Sequence, residues 1–311
     1  MPAAIATTDL TKRFLSITAV DRLTFDVHAG EIFGLVGPDG AGKTTTLRML
    51  AGVLTPDGGS ATVAGADIIR DPEAAKARLS YMPQRFGLYE DLTVAENIRF
   101  YADVFGVSRA EREARSRQLL DAAGMSPFTN WLAGKLSGGM KQKLGLVCAL
   151  IHRPGVILLD EPTNGVDPVS RRDFWRILYS LLDEGIAILM STSYLDEAER
   201  CHRVALLHQG RMLFCDTPAQ LKTHLKGAVL SVISSEPRRV RAALDGWDGV
   251  LNALLVGDGV HLVVDDATRR IPELTAKLQT EGLSFDRLEE VAPTMEDLFV
   301  SATSGTDGTS P

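Results

Sequence analysis

The sequence predicts an α/β fold with a second, smaller α+β domain, and three observations support this prediction. Short apolar runs alternate with helical stretches, a Gly-rich loop joins an apolar run to a helix, and the order of elements changes near residue 225. The 311 residues are enough for about two domains at roughly 150 residues each. With 45% hydrophobic and 23% charged residues, the chain has the composition of a globular protein with a sizeable core.

Charge and cysteine content narrow the possible functions. The 33 Lys and Arg against 40 Asp and Glu give a net charge of −7, which disfavours a nucleic-acid partner. The three cysteines, Cys148, Cys201 and Cys215, form no CxxC pair, which argues against a cysteine zinc site and favours a reducing compartment. No apolar run approaches the roughly 18 residues of a membrane span, and residues 1–10 lack the pattern of a signal peptide. These features predict a cytosolic location.

The first domain is predicted to contain a parallel sheet covered on both faces, because nearly continuous apolar strands alternate with helices. The predicted elements are strands at 19–27 and 32–36, a helix at 43–51, a helical region at 90–152, strands at 156–159, 186–190 and 204–207, and a helix at 168–184.

The second domain, at 226–303, is predicted to be ferredoxin-like, because its elements follow the split β-α-β-β-α-β order. A tail at 304–311, rich in Ser, Gly, Thr and Asp, is predicted to be disordered. The domain contains no recognisable catalytic constellation. Its predicted elements are strands at 229–233, 250–256, 259–264 and 284–290, and helices at 237–244, 271–281 and 295–302.

The loop GPDGAGKT at 37–44 predicts a nucleotide site. Its glycines let successive backbone N–H groups point at phosphate oxygens, and the following helix adds the positive end of its dipole. Lys43 supplies a positive charge to the β- and γ-phosphates, and Thr44 offers a hydroxyl to Mg²⁺. The loop by itself does not distinguish kinases, GTPases and ATPases.

Two adjacent acids, Asp160 and Glu161, end the apolar strand at 156–161. Carboxylates at the end of a buried strand need a cation or hydrogen bonds to offset their burial. Asp160 is therefore expected to hold Mg²⁺ through water, and Glu161 to orient or deprotonate the attacking water. The alternative is a solvated acidic turn, but the presence of a phosphate loop in the same chain favours the metal and catalytic roles.

A second helix start, LSGGMKQ at 136–142, predicts a second anion site. Ser137 stands at the N-cap position and is followed by Gly138 and Gly139, so the backbone N–H groups of the first turn are accessible. Two phosphate-binding helix starts far apart in one chain suggest a dimer in which each signature closes over the nucleotide of the other subunit.

With these motifs in this order, the sequence resembles the ATP-binding cassette (ABC) ATPases over about residues 4–225. The resemblance implies a P-loop ABC domain at 1–225, with a mixed sheet and a helical subdomain at about 90–152. Segment 37–45 resembles the Walker A loop, 136–142 the family signature, 156–161 the Walker B strand, Gln84 the Q-loop glutamine, Asp167 the D-loop aspartate, and Phe14 the aromatic residue that stacks on adenine. The alternative for Phe14 is a core position.

The family implies ATP and Mg²⁺ as ligands. The residues expected to bind nucleotide are Phe14, Gly37, Pro38, Asp39, Gly40, Ala41, Gly42, Lys43, Thr44, Thr45, Ser137, Gly138, Gly139 and Asp167. Those expected at the metal are Thr44, Gln84 and Asp160, and those expected to take part in catalysis are Gln84, Glu161 and Ser193.

Within the family, the segments 164–168, 194–199 and 292–299 are most similar to ATPase subunits of drug and antibiotic exporters of the daunorubicin-resistance type. Segment 81–97 also resembles the first cassette of tandem-cassette multidrug exporters. The implied partners are a second cassette and an integral membrane permease on a separate polypeptide, which places the chain at the cytoplasmic face of the membrane. The aromatic stretch 85–92 is expected either to receive a helix of that permease or to pack inside the helical subdomain.

One position departs from the family pattern. Ser193 stands where a histidine normally contacts the γ-phosphate, and serine is shorter and never cationic. We therefore expect slow hydrolysis at this site and pairing with a cassette that retains the histidine. The alternative is a working homodimer that tolerates the serine.

The sequence thus predicts an ATP-hydrolysing subunit of an ABC exporter. Two rival functions remain: a soluble ABC ATPase acting on translation or DNA repair, and a regulatory subunit that binds ATP and barely hydrolyses it. The acidic net charge disfavours the first, and the intact Lys43, Asp160 and Glu161 disfavour the second.

Overall fold

The computed structural model describes residues 2–304, which form two compact units. The first ends at Cys215 and the second begins at Asp216, ahead of the predicted boundary at 225. The division lies earlier because the short helix Pro218–Lys222 contacts the last helix of the chain, Met295–Ser304. The predicted tail at 304–311 begins on the last residue of that helix, and its other residues lie outside the described part of the chain.

The first unit contains two sheets. A six-stranded sheet has the order β10-β9-β3-β8-β7-β6, and its inner pairs are parallel, as predicted. A second sheet has four antiparallel strands in the order β2-β1-β4-β5. The sequence pattern did not distinguish it from the six-stranded sheet. The strands are β1 (Ile5–Phe14), β2 (Ile17–Val27), β3 (Ile32–Val36), β4 (Gly58–Val63), β5 (Ala66–Asp67), β6 (Leu79–Met82), β7 (Val156–Asp160), β8 (Ala187–Thr192), β9 (Arg203–His208) and β10 (Arg211–Asp216).

Seven helices accompany these sheets in the described part of the first unit. They are α1 (Lys43–Leu50), α2 (Pro72–Lys76), α3 (Val94–Val104), α4 (Arg109–Ala122), α5 (Gly138–Leu150), α6 (Pro168–Leu182) and α7 (Leu195–Ala198). Helix α1 contacts both sheets and buries Leu47 and Leu50 completely. The ring of Phe25 on β2 stacks on that of Phe33 on β3 with centroids 5.3 Å apart, so one continuous core joins the two sheets.

The predicted helical region at 90–152 consists of α3, α4, two short 3-10 turns and α5. Its helices begin where the local sequence supplies caps. Thr93 and Glu96 form a capping box on α3, and Ser108 and Glu111 form one on α4. Each box satisfies backbone N–H groups that the first helical turn leaves without partners.

The second unit has the predicted ferredoxin-like arrangement, an antiparallel sheet in the order β12-β13-β11-β14. Its helix α10 begins four residues before the predicted start at 271. Asp266 caps the helix by accepting a hydrogen bond from Arg269 N, and Pro272 lies inside the helix rather than at its first position. The elements are α8 (Pro218–Lys222), β11 (Ala228–Ile233), α9 (Pro237–Leu244), β12 (Val250–Val256), β13 (Gly259–Val264), α10 (Ala267–Thr280), β14 (Arg287–Val291) and α11 (Met295–Ser304).

Within residues 2–304, no helix combines the length and the apolar character needed to cross a membrane.

Candidate functional site

The predicted phosphate loop joins the end of β3 to the start of α1, as the motif requires. Two of its glycines have no room for a side chain. A Cβ on Gly37 would lie 2.3 Å from the carbonyl oxygen of Leu207, and one on Gly42 would lie 2.4 Å from that of Ala19. Gly42 also has a φ of 98°, which L-residues rarely adopt. The loop conformation is thus available only to this glycine pattern.

Lys43 is the first residue of α1, and its side chain is buried, with 4% exposed. Its Nζ donates hydrogen bonds to the carbonyl oxygens of Gly37 at 2.7 Å and Pro38 at 3.1 Å, and to Ser193 Oγ at 3.0 Å. Glu161 Oε1 lies 3.2 Å from the same Nζ. A buried ammonium is tolerated only with such partners, and these hold the charge beside the phosphate loop.

Asp160 ends β7, where the parallel register places it beside Ser191 on β8. Its Oδ1 accepts hydrogen bonds from Thr44 Oγ1 at 2.9 Å and from Ser191 Oγ at 2.7 Å. Its Oδ2 lies 3.4 Å from the hydroxyl of Tyr81. Burial, and next the charge of Asp160, raise the pKa of Tyr81, so its hydroxyl stays protonated and donates.

Glu161 follows directly in the left-handed conformation, with a φ of 47°. Non-glycine residues adopt this conformation at a cost, and the bond from Glu161 N to Ser191 Oγ at 3.0 Å helps to offset it. Besides Lys43, three side chains reach the Glu161 carboxylate. Gln84 Nε2 and Asn164 Nδ2 donate to Oε2 at 3.3 and 3.2 Å, and Ser193 Oγ donates to Oε1 at 2.8 Å.

These groups adjoin a cavity of about 670 Å³, a volume typical of small-molecule sites. Phe14 lies at its wall with 46% of its surface exposed, so it is not a core residue. The cavity is lined by Phe14, Ile17, Thr18, Ala19, Asp39, Gly40, Ala41, Gly42, Lys43, Thr44, Thr45, Gln84, Glu161 and Gln209.

A larger cavity of about 1020 Å³ lies in the helical region and is lined mainly by α3 and α4. None of the predicted site residues lines it in the described chain. Its wall carries charged side chains of both signs, and it shows no phosphate loop or strand-end carboxylate. Chemistry, rather than size, therefore identifies the smaller cavity as the candidate site.

The signature residues form a second cluster. Ser137 Oγ accepts a hydrogen bond from Met140 N at 3.3 Å and caps α5, as predicted. Asp167 caps α6 by accepting from Ser170 N at 2.9 Å, and this backbone hydrogen bond lowers the pKa of its carboxyl. A Cβ on Gly139 would lie 2.3 Å from Ser170 Oγ, so the two helix starts are in close contact.

The described residues that line the candidate cavity include neither Ser137 nor Asp167. The structure thus brings together Phe14, the phosphate loop, Gln84, Asp160, Glu161 and Ser193, and it places the signature and the D-loop aspartate in the other cluster.

Sequence reasoning missed several residues at the site. Ser191 contacts both Asp160 and the Glu161 backbone. It could have been recognised as a polar residue near the end of an apolar strand that pairs with the Walker B strand. Asn164 lies three residues after Glu161, within reach of its carboxylate. Gln209 lies in the turn between β9 and β10, and nothing in the local pattern connects that turn with the phosphate loop.

Mg²⁺ fits the donor set of this cavity. No group of three or more His, Cys, Asp or Glu side chains suited to a metal occurs in residues 2–304. Mg²⁺ nevertheless needs only one or two carboxylates when substrate phosphates supply the other oxygens. Asp160 and the hydroxyl of Thr44, 2.9 Å apart, are oxygen donors of that kind beside the phosphate loop.

Comparisons with known proteins identify the family. Residues 20–164 match the model of the "ABC transporter" family. The chain is 45% identical over 308 residues to "Probable multidrug ABC transporter ATP-binding protein YbhF" of Escherichia coli (strain K12), covering 97% of this chain but 52% of that protein. It is 33% identical over 305 residues to "Daunorubicin resistance ATP-binding protein DrrA2" of Streptomyces coeruleorubidus, covering 96% of this chain and 95% of that protein.

The chain thus spans about half the length of the first of these relatives and nearly the whole of the second. Among solved structures, it is similar to "Structure of ATP binding subunit of ABC transporter", with a TM-score of 0.65 and 32% identity over 71% of this chain and 92% of that one. Together with the geometry of the phosphate loop and the strand-end carboxylates, these findings show that the chain belongs to the ATP-binding proteins of the ABC transporter family.

Proposed function

We propose that this chain binds ATP in the 670 Å³ cavity and hydrolyses it as the ATP-binding subunit of an ABC exporter. The observation that carries the proposal is the convergence of Lys43, Asp160 and Glu161 at one phosphate loop. The relatives support the coupling to export, because the printed names of two of them refer to multidrug transport and daunorubicin resistance.

The residues divide the work of binding. The exposed ring of Phe14 stacks on the adenine, the backbone N–H groups of the loop hold the phosphates, and Lys43 contacts the β- and γ-phosphates. Thr44, Asp160 and Gln84 hold Mg²⁺, which when bound neutralises charge on the phosphate oxygens. Asp39, Thr45 and the other loop residues shape the wall around the triphosphate.

Glu161 acts on the attacking water. Its carboxylate accepts a proton or orients the water, while Gln84 and Asn164 fix one oxygen and Ser193 fixes the other. Because four side chains reach this carboxylate, its position is set before substrate arrives. Positioning and electrostatics of this kind supply most of the catalysis in phosphoryl transfer.

A second cassette completes the site in this proposal. Ser137, Gly138 and Gly139 present a capped helix start, yet they lie with Asp167 in a cluster apart from the cavity of their own chain. Two cassettes arranged head to tail place the signature of each over the triphosphate of the other. The second cassette is either another copy of this chain or a homologous chain.

A membrane subunit is the second proposed partner, and nucleic acid is not one. In the stretch 85–92, Phe86 packs inside the helical region against Tyr101, with ring centroids 5.0 Å apart. Tyr89 instead is 47% exposed and makes an edge contact with the half-exposed ring of Phe100 at 4.6 Å. In this proposal the exposed aromatic pair receives a helix of the permease, and the chain lies at the cytoplasmic face of the membrane.

The test is single-turnover ATP hydrolysis by the full chain in protein excess with Mg²⁺, alone and with a candidate partner cassette. We expect the wild type to hydrolyse ATP and Glu161→Gln to bind ATP but to react about 100-fold more slowly. No hydrolysis by the wild type, or an unchanged rate in Glu161→Gln, overturns the proposal.

Ser193 favours a second candidate function, a mainly regulatory nucleotide site. In that case the wild type binds ATP tightly while single-turnover hydrolysis stays near the rate of Glu161→Gln. A soluble ABC ATPase without a membrane partner is the other alternative, and it predicts no change in hydrolysis when a permease is added.

A further inference from the structure

A fully buried carboxylate lies behind the site. Glu197 on α7 has 0% of its surface exposed. Its Oε1 accepts hydrogen bonds from Thr163 Oγ1 at 2.5 Å and from Trp175 Nε1 at 3.4 Å, and its Oε2 accepts one from Thr192 Oγ1 at 2.8 Å. Burial of a carboxylate is costly, and hydrogen bonds to both of its oxygens offset that cost.

Two of these partners lie in the segments that carry the reactive residues. Thr163 is two residues after Glu161, in the turn that follows β7. Thr192 is the last residue of β8 and directly precedes Ser193. Glu197 therefore bridges the two strand ends from which Glu161 and Ser193 reach each other.

The other partners lie on α6, the helix that Asp167 caps. Besides Trp175, Arg171 places its Nε 3.7 Å from Glu197 Oε1. The Arg171 guanidinium also lies over the ring of Tyr194, 4.5 Å from its centroid. The same carboxylate thus connects the start of the D-loop helix with both strand ends.

A further route leads from this helix back to the reactive carboxylate. The hydroxyl of Tyr194 donates to Asn164 Oδ1 at 3.4 Å, and Asn164 Nδ2 donates to Glu161 Oε2 at 3.2 Å. Arg171 on α6 is therefore connected to Glu161 by three successive contacts, through Tyr194 and Asn164, in addition to its contact with Glu197.

We propose that Glu197 is a positioning residue for ATP hydrolysis, which sets the separation of Glu161 and Ser193 and ties both to α6. It acts through Thr163 and Thr192 and does not touch the substrate. This inference rests on the proposed role of Glu161 as the residue that acts on water.

The chemistry of the contact makes the inference testable by a substitution of nearly equal volume. An ionised carboxylate only accepts hydrogen bonds, so both threonine hydroxyls are constrained to donate. In Glu197→Gln, one oxygen becomes an NH₂ group that donates, and one of the two hydroxyls must turn to accept. Packing is preserved while the hydrogen-bond pattern at one strand end is changed.

The experiment measures kcat and KM for ATP in the full chain carrying Glu197→Gln, Thr163→Val or both changes. We expect each single variant to lower kcat about 10- to 100-fold, because small displacements of reacting groups have effects of that size. We expect KM for ATP to change less than about threefold, because Lys43 and the phosphate loop are untouched. The double variant should lose little more than the worse single variant, since both changes break one connection.

Asp196→Asn is the matched control. Asp196 lies on the same short helix and also approaches Arg171, at 3.6 Å, but its side chain is 62% exposed and no contact joins it to Thr163 or Thr192. We expect its kcat to stay within about twofold of the wild type.

Thermal unfolding of each variant separates positioning from loss of fold. A folded Glu197→Gln protein with the kcat of the wild type overturns the inference, as do fully additive losses in the double variant. If Glu161→Gln itself retains the wild-type rate, the proposed function fails as well, which distinguishes the two failures. Should Glu197→Gln prove unfolded, Thr163→Val alone decides: an unchanged kcat in that variant refutes the positioning role.

Discussion

Ser193 Oγ donates a hydrogen bond to Glu161 Oε1 over 2.8 Å and accepts one from Lys43 Nζ over 3.0 Å. The serine thus joins the residue proposed to act on water to the lysine of the phosphate loop. Asp39 Oδ1 is also near, 3.5 Å from Ser193 Oγ. This position therefore has a defined place in the site, although its side chain is shorter than the histidine that the family usually has there.

Substitution of Ser193 tests how much this shorter side chain limits the rate. We expect Ser193→Ala to lower kcat about 10- to 100-fold, because a hydrogen bond to a charged group contributes roughly 1.5–3 kcal/mol. We expect Ser193→His to raise the steady-state rate, because the histidine side chain is longer, reaches towards the γ-phosphate and can be cationic. Steady-state ATPase assays of the three proteins decide, and no gain in Ser193→His contradicts the prediction of a slow site.

Lys43→Met should weaken ATP binding by at least about 10-fold. Lys43 is the first residue of α1, and its loss removes the positive side-chain charge that contacts the β- and γ-phosphates. Binding of a fluorescent ATP analogue, measured in equilibrium titrations, gives the dissociation constants. Lys76→Met is the control, because Lys76 is half-exposed at the end of α2 and pairs with Glu73 at 2.8 Å. Equal affinities in the wild type and Lys43→Met would contradict the assignment of the phosphate loop.

Asn164→Ala should lower kcat with little change in KM for ATP. The amide of Asn164 donates to Glu161 Oε2 at 3.2 Å, so its loss leaves that oxygen with Gln84 as its amide donor. We expect kcat to fall about 10- to 100-fold, the effect of one hydrogen bond to a charged group. Initial rates over a range of ATP concentrations give both constants. A parallel rise in KM would instead indicate a role in binding.

Gly139→Ala should destabilise the contact between the starts of α5 and α6. The new Cβ would lie 2.3 Å from Ser170 Oγ and 2.4 Å from Ser170 Cβ, so one helix start must move at a cost of about 1–3 kcal/mol. Thermal unfolding and ATPase assays report the change. Because the clash involves Ser170 Cβ, the double variant Gly139→Ala/Ser170→Gly should regain thermal stability relative to Gly139→Ala. The double variant Gly139→Ala/Ser170→Ala keeps that Cβ and should not.

The second unit contains a pH-dependent contact between His261 on β13 and Asp297 on α11, 3.1 Å apart. Burial raises the pKa of Asp297, but hydrogen bonds from His261 and Thr294 outweigh it and hold the pKa below the ordinary value of an aspartate. A lowered pKa in the folded state stabilises the fold above the ordinary value, and this contribution is lost as the pH falls through the folded-state value. We therefore expect Asp297→Asn to reduce the protection of the α11 amides at pH 7 and to have a smaller effect below about pH 4.

Hydrogen exchange of the α11 amides at both pH values measures that difference for the second unit by itself. Glu296→Gln is the control, because it removes a charge from the neighbouring position of the same helix. Equal loss of protection at pH 7 and below pH 4 in Asp297→Asn would show that packing, rather than the carboxylate charge, holds α11 in place.

How far the sequence predicts the structure depends on the type of feature. The phosphate loop, the Walker B acids and the Ser137 cap were found because each depends on neighbouring residues, such as glycines that permit a turn or a hydroxyl that caps a helix. The helix at 237–244 was predicted with its observed bounds for the same reason, since Pro237 opens it. Helix α10 begins four residues before its predicted start, because Asp266 caps it there and the helix continues through Pro272.

The local sequence by itself determined the nucleotide chemistry of this chain, because the phosphate loop and the strand-end carboxylate pair each consist of consecutive residues. The tertiary structure decided which of these groups meet. Ser191 contacts Asp160, 31 positions before it, and Glu197 contacts Thr163, 34 positions before it. Gln209 lies in the same cavity as the phosphate loop, although the two are far apart in the chain. Such contacts depend on strand register and on the packing of α6 and α7, and no short window of sequence records either of them.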